Sequence, residues 1–102
     1  MKVLGALVVC ACARSTLHIA NDDPTALSIV VTSDRGEPVY ATRLDGGERL
    51  DIPLHLDGDR SLRIDVVAGG AILVTRKGGY VTAGFDVCVN VSHTQVEFTG
   101  CR

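Results

Sequence analysis

From Thr16 to Phe98 apolar and polar residues alternate in short runs, and clusters of Gly, Asp, Asn or Pro cut those runs about every 8–12 residues. A period of two sends successive side chains to opposite faces of an extended backbone, so each run reads as a strand with one buried face. No segment carries the 3.6-residue period of an amphipathic helix. Leu17 and Ile19 alternate with His18 before the turn residues Asn21-Asp22-Asp23-Pro24. Leu27, Ile29 and Val31 form the next inward row, and a third strand spans about Val39 to Leu44. Asp45-Gly46-Gly47-Glu48 is a hairpin signal, because adjacent glycines allow the positive φ angles of primed turns. Leu50, Ile52 and Leu54 follow, with Pro53 marking an edge strand because it cannot donate to a ladder. Asp57-Gly58-Asp59 turns the chain into Leu62, Ile64 and Val66, and Ala68-Gly69-Gly70 turns it again. A shorter strand runs from Ala71 to Arg76, with Lys77-Gly78-Gly79 expected as a turn. The odd positions Val81, Ala83, Phe85, Val87, Val89 and Val91 share one face of a long segment, kinked at Gly84, and Val96 and Phe98 supply the last strand.

The 102 residues make one domain, and 46% apolar against 22% charged residues is the balance of a folded chain. A formal net charge of −2 gives no cationic surface for phosphate backbones, so nucleic acid is excluded as the expected partner. Aromatics are 4% with no Trp, which leaves an aliphatic core and no platform for stacking bases or sugars. Seven or eight short strands with short connections predict an all-β fold, an antiparallel β-sandwich in preference to a small closed barrel. The stretch from Thr16 to Cys101 resembles the immunoglobulin-like or fibronectin-like β-sandwich modules of bacterial secreted proteins and lipoproteins. The resemblance rests on the strand spacing, on the hairpin Leu44-Asp45-Gly46-Gly47-Glu48-Arg49-Leu50, and on the closing Phe85-x-Val87 and Val96-x-Phe98 strands. It implies an immunoglobulin-like architecture and nothing about a site, because the buried Trp and inter-sheet cysteines of antibody domains are missing.

Residues 1–13 place one positive charge at Lys2, an apolar run from Val3 to Ala11, and then small residues, the order of a secretory leader. The run is too short for a transmembrane helix, which needs roughly 20 apolar residues. Ala11-Cys12-Ala13 matches an A-x-A site that would release a chain starting at Arg14, whereas Val9-Cys10-Ala11-Cys12 resembles a lipobox that would make Cys12 the lipidated first residue. The expected organisation is a signal peptide or lipoprotein leader over 1–13 and a single β-sandwich domain over 14–102. The alternative is a cytosolic or virion structural protein in which 1–13 form a buried first strand.

Of Cys10, Cys12, Cys88 and Cys101, the leader removes or modifies the first two and leaves one pair for an oxidising compartment to join. With Val87, Val89 and Val91 inward, Cys88 faces outward, and with Val96 and Phe98 inward, Cys101 does too. A register that sets Val91 opposite Phe98 places the cysteines directly opposite each other. A register with Val91 opposite Val96 makes them diagonal neighbours in regular strands, roughly 7–8 Å apart and too far to bond.

Few constellations carry chemistry. Cys88-x4-His93 has the flavour of a blue-copper site, but an axial Met is lacking, and the second imidazole would have to come from His18 or His55. A metal carrier using Cys88 and His93 is therefore an alternative to the disulfide. There is no Gly-x-Ser-x-Gly elbow, and Ser92 and His93 would leave opposite faces of a strand, so a hydrolase is not expected. His18 and His55 fall on polar faces as solvated surface histidines. If consecutive strands alternate in direction, alternate turns share a rim, which would gather Asn21, Asp22, Asp23, Asp45 and Glu48. Asp22, Asp23, Asp45 and Glu48 are then a candidate divalent-cation rim, with solvated turn carboxylates as the plainer reading. Taken together, the sequence predicts a non-enzymatic module without a cofactor, secreted, periplasmic or at the outer envelope. Its partner would be a protein or envelope component, and its membrane contact a lipid anchor alone.

Overall fold

The computed structural model describes residues 15–36, 38–55, 60–82 and 84–101. The leader, with Cys10 and Cys12, and the expected turn at Asp57-Gly58-Asp59 lie outside them. Eight strands form: β1 (Ser15–Asn21), β2 (Leu27–Ser33), β3 (Pro38–Leu44), β4 (Arg49–Leu54), β5 (Arg60–Ala68), β6 (Ala71–Val81), β7 (Val87–Val91) and β8 (Val96–Thr99). They build two four-stranded sheets, ordered β4-β1-β7-β8 and β3-β2-β5-β6. The protein is thus an all-β, two-layer structure, as the alternation predicts. Buried and half-buried residues alternate without a break along β1 and β2. Leu17, Ile19, Ile29, Val31, Leu62, Ile64, Val66, Val89 and Val91 meet between the layers as an aliphatic core.

The pairing departs from a simple antiparallel meander. β1 and β2 belong to opposite sheets, and β1 lies antiparallel to β4 but parallel to β7. In the immunoglobulin order the first two strands are neighbours in one sheet. Here Asn21-Asp22-Asp23-Pro24 carries the chain across the sandwich instead of reversing it within a sheet.

Two local expectations change. Lys77-Gly78-Gly79 is not a turn: β6 runs through it to Val81 as an 11-residue strand. Gly78 takes φ 152°, where the β5–β6 register shifts between Arg60 and Leu62, and a Cβ there would stand 3.3 Å from the Phe98 ring. The glycine lets the second sheet approach the closing strand of the first. The long segment expected from Val81 to Val91 is divided, because β6 ends at Val81 in the second sheet and β7 starts at Val87 in the first; Ala83, expected inward, lies outside the described residues. Phe85, expected inward, lies just before β7 and is 67% exposed.

The cysteines bond, but not in the register that the sequence reading tied to bonding. β7 and β8 pair with Val91 opposite Val96 and Cys88 opposite Thr99. The diagonal-distance rule holds only while both strands stay regular, and β8 ends at Thr99. Beyond it the chain leaves the ladder at Gly100, which brings the Cys88 and Cys101 Cα atoms to 5.4 Å and allows the disulfide.

Candidate functional site

The shared rim forms, and a buried amide holds it. Asn21 is 1% exposed at the end of β1. Its Nδ2 donates to the carbonyl oxygens of Thr25 (2.9 Å), Leu44 (3.1 Å) and Asp45 (3.1 Å), and its Oδ1 accepts from the Asp23 amide (2.8 Å). The Asn21 carbonyl accepts from the Gly47 amide, so the first turn and the β3–β4 hairpin are bolted together through main chain and side chain. Asp23 is buried beneath this lock and accepts from the Thr25 hydroxyl, the His93 amide and the His93 ring. The His93 ring, and after it the His93 and Thr25 donors, hold the Asp23 carboxyl far below its ordinary value. The Glu48 carboxylate accepts from the Asp45 amide at 2.8 Å, closing its own hairpin.

The predicted cation rim therefore comes together in space with two of its four carboxylates already employed. Asp23 and Glu48 satisfy backbone amides, and Asp22 and Asp45 stay exposed. Among the described residues no group of three or more His, Cys, Asp or Glu side chains is arranged to hold a metal ion. Cys88 and His93 do not converge as ligands either: the Cys88 sulfur is bonded to Cys101, while the His93 ring turns to Asp23.

A second polar cluster lies on the outer face of the first sheet. The ladder puts His18 between Asp51 on β4 and Cys88 on β7. Nδ1 of His18 donates to Asp51 Oδ1 (2.6 Å), and Nε2 donates to Asp86 Oδ2 (3.0 Å). The other Asp86 oxygen accepts the Thr16 amide (3.2 Å), which ties the crossing segment to β1. A neutral imidazole has one ring N–H, so this geometry is satisfied by the imidazolium. The Asp86 hydrogen bond and then that of Asp51 raise the His18 pKa, while burial opposes them; Asp86 is lowered, first by His18 and then by the Thr16 amide. Beside the cluster a cleft of about 450 Å³ opens over Ala20 and the Cys88–Cys101 disulfide, with Arg49, Asn90 and Thr99 on its walls. An imidazole held protonated by two carboxylates is a poor general base, and both sulfurs in the cleft are spent in the disulfide.

Sequence reasoning put His18 on a polar face but missed its partners. Asp51 and Asp86 become visible only when β1 is paired with β4 and β7 rather than with its chain neighbour. The cluster also sets a pH dependence. Because the folded pKa lies above the ordinary 6.5, its stabilisation is complete below 6.5 and is lost as pH rises through the folded value. An NMR titration is expected to place the His18 midpoint above 6.5, with Asp86→Asn lowering it more than Asp51→Asn. A midpoint at or below 6.5 would contradict the arrangement.

Comparison with known proteins adds little to this geometry. No family model matches the chain, and no curated protein matches it. Among solved structures the chain is similar to a Gram-negative toxin, at 11% identity over 86% of this chain, with a TM-score of 0.46. It spans 23% of that toxin's length. A likeness at that level carries no argument about fold or function.

Proposed function

We propose that the protein is a non-enzymatic β-sandwich module of the secreted or envelope space, with a binding or structural role. The observation that carries the reading is the Cys88–Cys101 disulfide, since such bonds persist in oxidising compartments and are reduced in the cytosol. The leader order of residues 1–13 supports it independently. β1 begins at Ser15, so cleavage before Cys12 or before Arg14 would leave every described strand intact. Among the described residues no helix is long and apolar enough to cross a membrane. Both ring nitrogens of His18 are taken up by Asp51 and Asp86, which leaves that imidazole none with which to accept a proton, and this supports the non-enzymatic reading of the cleft. The resemblance to immunoglobulin-like modules is one of layered architecture, and the partner in this reading is a protein or an envelope component.

Processing tests the compartment directly. Intact-mass measurement on protein from its natural host is expected to show a chain starting at Cys12, with lipid, or at Arg14. Cys12→Ser abolishes the lipidated form but leaves the A-x-A site usable. A full-length chain beginning at Met1 would overturn the reading.

A further inference from the structure

The disulfide lies outside the core. Both cysteines are half-buried on the outer face of the first sheet and line the cleft of about 450 Å³. β7 stands between β1 and β8, so Cys101, past the end of β8, lies on the side of Cys88 that faces away from β1. On the β1 side the neighbour of Cys88 is His18, whose ring is drawn to Asp51 and Asp86, and two residues further on Ala20 carries only a methyl group. The cleft therefore meets the Cys88 sulfur from the side opposite its bond to Cys101. Thiol–disulfide exchange needs that approach, because the attacking sulfur enters in line with the bond it breaks. The two ends of the bond are also held unequally. Cys88 is fixed by pairing with β1 and β8, whereas Cys101 follows Gly100 outside the ladder, where an added Cβ would meet nothing within 4 Å. The rungs from Cys88–Thr99 to Val91–Val96 do not involve Cys101, so the sheet keeps its pairing when the chain end lets go.

We infer that the cleft is a site of reversible S-thiolation, in which a small external thiol attacks Cys88 and displaces Cys101. The incoming thiolate sulfur bonds to Cys88 Sγ, the Cys88–Cys101 bond breaks, and its electron pair leaves on Cys101 Sγ, which takes a proton from solvent. One disulfide replaces another, so no further oxidant or reductant is needed. The attacker brings its own thiolate, so the fully engaged His18 has no part as a base. In the reverse step the Cys101 thiolate returns to Cys88 Sγ and expels the thiol. The consequence for the protein is a chain end freed after Thr99 while the bound thiol occupies the cleft. The inference goes beyond the compartment reading, which rests on the bond existing rather than on its being open to exchange.

Reduced glutathione, added to the oxidised full chain under native conditions, is the probe. Early samples are quenched with excess alkylating reagent, which locks the freed sulfur, and are mapped by mass spectrometry. Glutathione is expected on Cys88 and the alkyl group on Cys101. The adduct should form at a rate proportional to glutathione concentration and faster than the chain unfolds, as read from urea unfolding kinetics. Ala20→Tyr fills the cleft and should slow the adduct about tenfold or more, because exchange depends on access to the attacked sulfur. In denaturing urea, where no cleft exists, variant and wild type should react alike. Ala20 faces solvent, and near-unchanged melting confirms that the variant folds; should it melt lower, Ala20→Gln replaces it. Glutathione mapped to Cys101 overturns the proposal, as does an Ala20 variant that reacts as fast as wild type. An adduct that is absent, or that forms only at the unfolding rate, shows a bond closed to exchange and also overturns it. Leader processing in the host is read separately, so that failure leaves the proposed compartment standing.

Discussion

Asn21→Ala is expected to lower the melting temperature by roughly 12–24 °C, the equivalent of about 3 kcal/mol for a domain of this size. The truncation strips the donor from three carbonyl oxygens and the acceptor from the Asp23 amide, at a position only 1% exposed. An unsatisfied buried polar group costs about 1–3 kcal/mol, and water entering from the rim recovers part of the loss. Asn21→Asp separates hydrogen bonding from packing. It keeps the shape but turns a carboxylate oxygen toward carbonyls, so it should be at least as damaging as alanine. Gly46→Ala attacks the same lock from the other side, since a Cβ at Gly46 would overlap the Pro24 carbonyl oxygen. Thermal melts that leave Asn21→Ala within about 1 kcal/mol of wild type would remove the amide from its central role. Because small domains bury a modest share of their surface, a loss of the expected size is a large fraction of their total stability.

Reduction of Cys88–Cys101 is expected to cost about 3 kcal/mol in the chain-entropy model, for cysteines 13 residues apart. The bond fastens the last residues of the chain to β7, which lies between β1 and β8 in the first sheet. Reduction should therefore loosen β8 first, and with it the Phe98 contact on Gly78 that joins the two layers at that edge. Urea denaturation with and without reductant reads the effect as a shifted midpoint at similar slope. Cys101→Ser should reproduce the reduced midpoint and make it insensitive to reductant. Equal midpoints for oxidised and reduced protein would contradict the prediction, and non-reducing peptide mapping reads the linkage itself.

Alternation along the chain was enough to locate six of the eight strands closely and to assign their inward rows. It failed where one residue type serves two purposes. Gly78 and Gly79 read as a turn because glycine permits reversal, yet Gly78 serves a strand that must pass close to an aromatic ring. The odd-numbered apolar row from Val81 to Val91 read as one strand, because a period of two continues along it although β6 and β7 belong to different sheets. The cation rim was half legible. Turn residues of the right kind come together, but only the folded geometry shows that Asp23 and Glu48 spend their oxygens on backbone amides and His93.

What the sequence determined by itself was local: extended backbone, the face each side chain takes, the sites of most turns, and which two cysteines could meet. These follow from a repeat two residues long and from the φ preferences of Gly, Pro, Asn and Asp, which act within a few residues. The tertiary structure alone decided which strands are neighbours. His18 and Asp86 are 68 residues apart in the chain, Asp23 and His93 70, and Asn21 and Asp45 24. Every strand here offers the same kind of apolar row, so alternation cannot rank the possible pairings. The choice falls to the packing of all rows in one core, and to buried polar groups such as Asn21 that find all their partners in a single arrangement.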